Sequence, residues 1–96
     1  MLKGNDAIRV ASKKNTYVLE NADPDKIEFE LKDWINTNGE IENKVEELVD
    51  FNSIVHNGNT YVFDANEKNK SGKFILNVKY NGEQTASKTI QVVSLW

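Results

Sequence analysis

His56 is the one histidine of the chain, and cysteine is absent. Zinc therefore finds neither a second imidazole nor a thiolate, and a proton relay lacks its second ring. Five serines (Ser12, Ser53, Ser71, Ser87 and Ser94) lie outside any G-x-S-x-G elbow, and only one of them could borrow His56 as a base. The glycines Gly4, Gly39, Gly58, Gly72 and Gly82 stand singly, so no phosphate-cradling loop or dinucleotide fingerprint exists. Carboxylates remain as the chemically capable groups. A pair acting on a glycosidic bond needs a separation of roughly 5–9.5 Å across a cleft, with one carboxyl's pKa raised. A chain of 96 residues builds one core but rarely a deep cleft. These residues predict a protein that is not an enzyme and needs no cofactor.

Two weaker chemistries remain. Asp23 and Asp25 flank Pro24, and Asp64, Asn66 and Glu67 form a second oxygen-rich stretch. Calcium takes six to eight oxygen ligands, often from loops, so these five residues are its candidate ligands. No D-x-D-x-D-G run is present, and Asx residues in turns ordinarily serve the turn itself. Trp34 stands among Asp33, Asn36 and Asn38 at the end of an alternating run. An exposed indole with amide and carboxylate neighbours there would suit a cell-surface glycan. Trp96, the final residue, is expected to cover one end of the core or to meet a neighbouring module.

Charge bounds the partners. The net charge is −3, with a pI near 5.1, which gives nucleic acid no overall attraction. Eleven acids between Glu20 and Asp50 face only Lys26, Lys32 and Lys44, a net −8, while residues 1–19 and 66–88 each carry +3. Solvated strand faces of opposite sign that attract one another account for this, as would an acidic face for a basic partner. No apolar run is long enough to insert in a membrane, and no export signal is visible.

The elements that must position these residues are strands. Ile27, Phe29 and Leu31 alternate with Glu28, Glu30 and Lys32; Phe74, Leu76, Val78 and Tyr80 alternate with Lys73, Asn77 and Lys79. Ile8 and Val10, Tyr17 and Leu19, Tyr61 and Phe63, and Ile90 and Val92 repeat the same period of two. Such alternation buries one face and wets the other, as in antiparallel sheets. Residues 1–6 read as a frayed leader to a single domain spanning 1–96.

Asn-Gly occurs at 38–39, 57–58 and 81–82, each a hairpin signal. A two-residue loop at Asn57-Gly58 sets Ile54 opposite Tyr61. A longer, bulged loop of three residues, Asn81-Gly82-Glu83, sets Val78 opposite Ala86 and Phe74 opposite Ile90, keeping the apolar residues on one face. Ile41, Val45, Leu48 and Val49 carry a helical stripe, yet Ile41, Val45 and Val49 also share a strand parity. Residues 41–49 thus suit a short helix or a strand, with Thr37 to Glu40 offering a capping-box spacing ahead of it.

Residues 71–82 (SGKFILNVKYNG) and 87–92 (SKTIQV) resemble the last two strands of immunoglobulin-like domains of the bacterial and phage (Big-type) kind. Gly72 and Phe74 hold the small-residue and aromatic positions, and Leu76 stands where antibody domains keep a cysteine. Phe74 replaces the tyrosine of the tyrosine corner. The run 27–33 resembles the second strand of such modules, whereas the acidic 40–50 stretch departs from the pattern. The resemblance implies an all-β, antiparallel immunoglobulin-like sandwich of about seven strands. It also implies a non-catalytic structural or interaction module of a larger bacterial surface protein or phage virion (tail or capsid) protein, spacing or displaying adhesive parts. Its partners would be neighbouring domains or other virion or surface proteins, at the cell surface or on the particle. The alternative is a carbohydrate- or cell-wall-binding β-sandwich using Trp34.

Overall fold

A computed structural model describes residues 1–94; Leu95 and Trp96, and with them the expected role of Trp96, lie outside the described residues. Among the described residues nine strands form two sheets. The strands are β1 (Leu2–Lys3), β2 (Ala7–Arg9), β3 (Asn15–Leu19), β4 (Ile27–Ile35), β5 (Ile41–Asn43), β6 (Val49–Asn57), β7 (Thr60–Ala65), β8 (Gly72–Tyr80) and β9 (Glu83–Val93). One helical turn, α1 (Val45–Leu48), links β5 to β6. The four-stranded sheet runs β1-β3-β7-β6 and the five-stranded sheet β2-β9-β8-β4-β5. All neighbours are antiparallel except β2 and β9, which pair in parallel. No helix among the described residues is long and apolar enough to cross a membrane.

The alternating runs place their apolar residues as expected. Phe74, Leu76 and Val78 are fully buried, as are Tyr17 and Phe63 from the opposite sheet. Tyr17 stacks on Phe63 at 5.4 Å between ring centroids, and Phe63 meets Phe74 edge-on at 5.9 Å, so one aromatic chain joins the two sheets. Each such buried side chain contributes about 1.5–3 kcal/mol of transfer free energy. The count of about seven strands falls short of nine because β1 and β5 are two and three residues long, too short for alternation to register.

Residues 1–6 are not a frayed leader. Leu2 and Lys3 pair with Leu19 and Val18 in one sheet, and Ile8, four residues after Gly4, pairs with Val92 in the other. The chain's first strand is divided between both sheets, which covers one lateral edge of each.

Two loops differ in detail from their expected forms. In the β6–β7 hairpin Asn57 pairs with Thr60 and His56 with Tyr61, so the turn is Gly58-Asn59, one residue further along. The face parity is unchanged, and glycine (φ +61°) sits at the first turn position. In the β8–β9 hairpin Val78 opposes Ala86 and Phe74 opposes Ile90, as the apolar faces require. The turn itself is only Asn81-Gly82, with φ of +54° and +85°, and the extra residue is a bulge at Thr85.

Residues 41–49 hold both expected conformations in succession: β5, then α1, then the start of β6. Val45 and Leu48 are buried three residues apart on one face of the turn. Thr37 caps nothing in it. The first free amide, Val45 N–H, donates instead to Asp33 Oδ1 at 2.8 Å.

Candidate functional site

Trp34 continues the outward series Glu28, Glu30, Lys32 of β4, on the solvent face of the five-stranded sheet. Register carries that position across four strands. Asn43 of β5 pairs with Trp34, the β4–β8 register continues from Asp33 and Phe74 to set Lys73 beside Trp34, and Lys73 pairs with Gln91 of β9. The half-buried indole lies under the Lys73 ammonium, whose Nζ is 5.5 Å from the ring centroid. That distance gives a cation–π contact. Asn43 Oδ1 accepts from Lys73 N–H at 3.0 Å and packs so close to Gly72 that a Cβ there would lie 2.8 Å from the amide. Together with Ser71 these residues line a shallow open groove of about 370 Å³.

The residues expected beside Trp34 do not join it there. Asp33 points into the sandwich, where its carboxylate holds the α1 turn. Asn36 Oδ1 accepts from Asn38 N–H and Glu40 N–H at 2.9 and 3.0 Å, building the hairpin turn between β4 and β5. Asn38 is exposed at its tip. The groove's other members, Asn43, Lys73 and Gln91, were hidden in the sequence because only strand register brings positions 34, 43, 73 and 91 together.

The oxygen-rich residues fall at opposite ends of the sandwich. Asp23 Oδ1 caps the 3-10 turn Pro24–Lys26 by accepting from Asp25 N–H at 3.0 Å. Its end is the one reached by the β6–β7 turn, since a Cβ on Gly58 would meet Pro24 at 3.2 Å. Asp64, Asn66 and Glu67 stand at the far end of β7. Asp64 Oδ1 accepts from Lys14 N–H at 2.8 Å, and Lys13 lies between Asp64 and Glu67. The hydrogen bond to Glu67 is the main reason the Lys13 pKa is raised.

Asn66 is buried and spends both ends of its amide on the chain. Oδ1 accepts from Lys68 N–H and Lys70 N–H, and Nδ2 donates to the carbonyls of Leu48 and Lys70, all at 3.0 Å. Among the described residues no three histidine, aspartate or glutamate side chains converge to hold a metal ion. His56 is exposed beside its turn, with Nε2 2.7 Å from the Gly58 carbonyl and its ring edge-on to Phe29.

The groove offers one indole, one cation (Lys73), one carboxylate (Glu42) and four uncharged polar side chains. No family model, no curated protein and no solved structure matches this chain.

Proposed function

We propose that this chain is an immunoglobulin-like sandwich module that acts without catalysis, spacing or displaying adhesive parts of a larger bacterial surface or phage virion protein. Strand order is the observation that carries the reading. Lettered A, A′, B, C, C′, D, E, F, G in chain order, the sheets read A-B-E-D and A′-G-F-C-C′. That order supports the reading, because immunoglobulin sandwiches set strands A, B, E and D on one sheet and C, F and G on the other. Spacing is supported by where the strands run. β1 enters at the end where β3 finishes, and β9 leaves at the opposite end beside Arg9. The molecule measures 39 × 32 × 20 Å, so copies joined in line would extend rather than fold back.

A head-to-tail fusion of two copies tests this by small-angle X-ray scattering. A maximum dimension close to twice the 39 Å of one copy is the expected result. Two copies lying side by side, little longer than one, would overturn the spacing role.

A second reading, a saccharide-binding module, is favoured by the groove at Trp34 and its polar lining of Glu42, Asn43, Ser71, Gln91 and Ser94. Lys73 over the indole counts against it, because a pyranose ring would have to displace that ammonium. Co-sedimentation with washed bacterial cell walls separates the readings. Saturable pelleting that is lost in Trp34→Ala supports the saccharide module, and no pelleting removes it.

A further inference from the structure

The two outer faces of the sandwich are built differently. On the five-stranded sheet, Glu28, Glu30, Lys32, Lys73 and Lys79 all stand on the outer face of β4 and β8, with Glu28 opposite Lys79. On the four-stranded sheet two successive rows are uncharged across β3, β7 and β6, with Lys3 of β1 beside Val18 at the end of the first. One is Val18–Thr60–Asn57 and the other Thr16–Val62–Val55. In a chain that is 28% charged, this is an unusual stretch of sheet. Thr16 and Val55 are exposed, and Val18, Thr60 and Val62 are half-buried.

We propose that this face docks a second copy of the same chain, sheet against sheet. Its charges select the partner. Beyond the uncharged rows, the next row toward the base holds Lys14, Asp64 and, on β6, Asp50, with the Asp64 carboxylate accepting from Lys14 N–H. A two-fold axis parallel to the strands, midway between β3 and β7, lays β3 of one copy over β7 of the other. Thr16 then covers Val62 and Val18 covers Thr60. Lys14 of each copy meets Asp64 of the other, twice over, and Lys3 at the β1 corner meets the uncharged Asn57. No like charges are apposed, and the interface is self-complementary, as a two-fold contact must be.

Size sets the strength. Four strands about 4.8 Å apart and five residues of about 3.4 Å each give a patch of roughly 300 Å² per copy. Stable interfaces cover about 800 Å² per partner, so the dimer is a weak one that forms at high local concentration. Such contacts suit a module displayed in many copies, but the inference rests on the face alone and not on the module reading.

Sedimentation equilibrium from about 10 μM to about 1 mM spans the dissociation constants an interface of this size supports. The mass is expected to rise from 10.9 kDa toward twice that value with concentration. Val62→Lys, which puts a charge at the centre of the face, keeps it at the monomer value. Val55→Lys does the same from an edge-strand position already 56% exposed, where folding is not at stake. Lys14→Glu, setting acid opposite acid, raises the dissociation constant several-fold. A monomer at every concentration overturns the proposal. So does association that both lysine variants leave unchanged, which would place the contact on another surface.

Discussion

The Tyr17 hydroxyl donates a 2.7 Å hydrogen bond to the backbone carbonyl of Asn5, fastening the chain at the point where it crosses from one sheet to the other. Asn5 lies between β1 and β2, which belong to different sheets. Tyr17 is fully buried against Phe63, so a core side chain holds the crossover with its one polar atom. This link ties the position of the first strand, and through it the strand order, to packing at the centre of the molecule.

Burial, with a smaller push from the Asp6 charge, raises the Tyr17 pKa well above the usual tyrosine value near 10. The folded protein therefore keeps a proton that the unfolded chain gives up at about pH 10. The stability that this contributes is complete below the unfolded value and is lost as the pH climbs through and beyond it. Urea unfolding at about pH 8 and about pH 11 should show the wild type losing more stability than Tyr17→Phe. Tyr61, raised in the same direction by burial, leaves a smaller slope in the variant. At neutral pH Tyr17→Phe costs about 0.5–1.5 kcal/mol for the lost hydrogen bond.

Gly4 lies against the same ring. A Cβ at this position would sit 2.0 Å from Tyr17 Cδ2, and its φ of +154° is one that side chains rarely adopt. Gly4→Ala should cost about 3 kcal/mol, from overpacking and backbone strain together. Gly39→Ala, with φ +80° but nothing within 4 Å, should cost only about 1 kcal/mol. Equal costs in thermal or urea unfolding would mean that the Tyr17 ring does not press on the crossover.

Asn66 organises its loop through four hydrogen bonds to backbone groups of residues 48, 68 and 70. Asn66→Ala leaves those groups to find water and should cost about 2–4 kcal/mol. Asn66→Asp keeps the acceptor but sets a carboxylate against the Leu48 and Lys70 carbonyls, so it too should destabilise. Because the Asn66 amide and one oxygen of Asp64 already bond to the chain, millimolar calcium should leave the wild-type Tm unchanged. A rise in Tm with calcium would show that these oxygens can be recruited as ligands.

Much of this architecture was legible in the sequence, and the misses have physical causes. The period-two runs at 27–31 and 74–80 mark β4 and β8, and matching their apolar faces fixes the β8–β9 register, although the expected loop holds the extra residue in the turn and the structure puts it at Thr85. A bulge and a longer loop insert the same one residue, and side-chain parity cannot separate them. β1 and β5 escaped because two or three residues carry no period. The Asp33 cap on Val45 was unreadable because it spans twelve positions and depends on β4 passing beneath α1. The candidate sites fared worse than the fold. Asp23, Asn36 and Asn66 have the residue types of ligands, but each uses an oxygen to satisfy an amide two to four residues on, the ordinary work of Asx side chains in turns, and Asp33 spends its own on a distant one. The Trp34 row appears only once four strands are aligned.

The division of the first strand between the two sheets is the feature on which the immunoglobulin-like reading stands or falls. Methyl-labelled NMR tests it directly. Cross-strand contacts between Leu2 and Leu19 and between Ile8 and Val92, with slow exchange at the Val10 and Gln91 amides that bond to Val93 and Asp6, are the predicted result. Leu2 and Ile8 both contacting β3, with Val92 free of either, would place the whole first strand in one sheet and contradict the account.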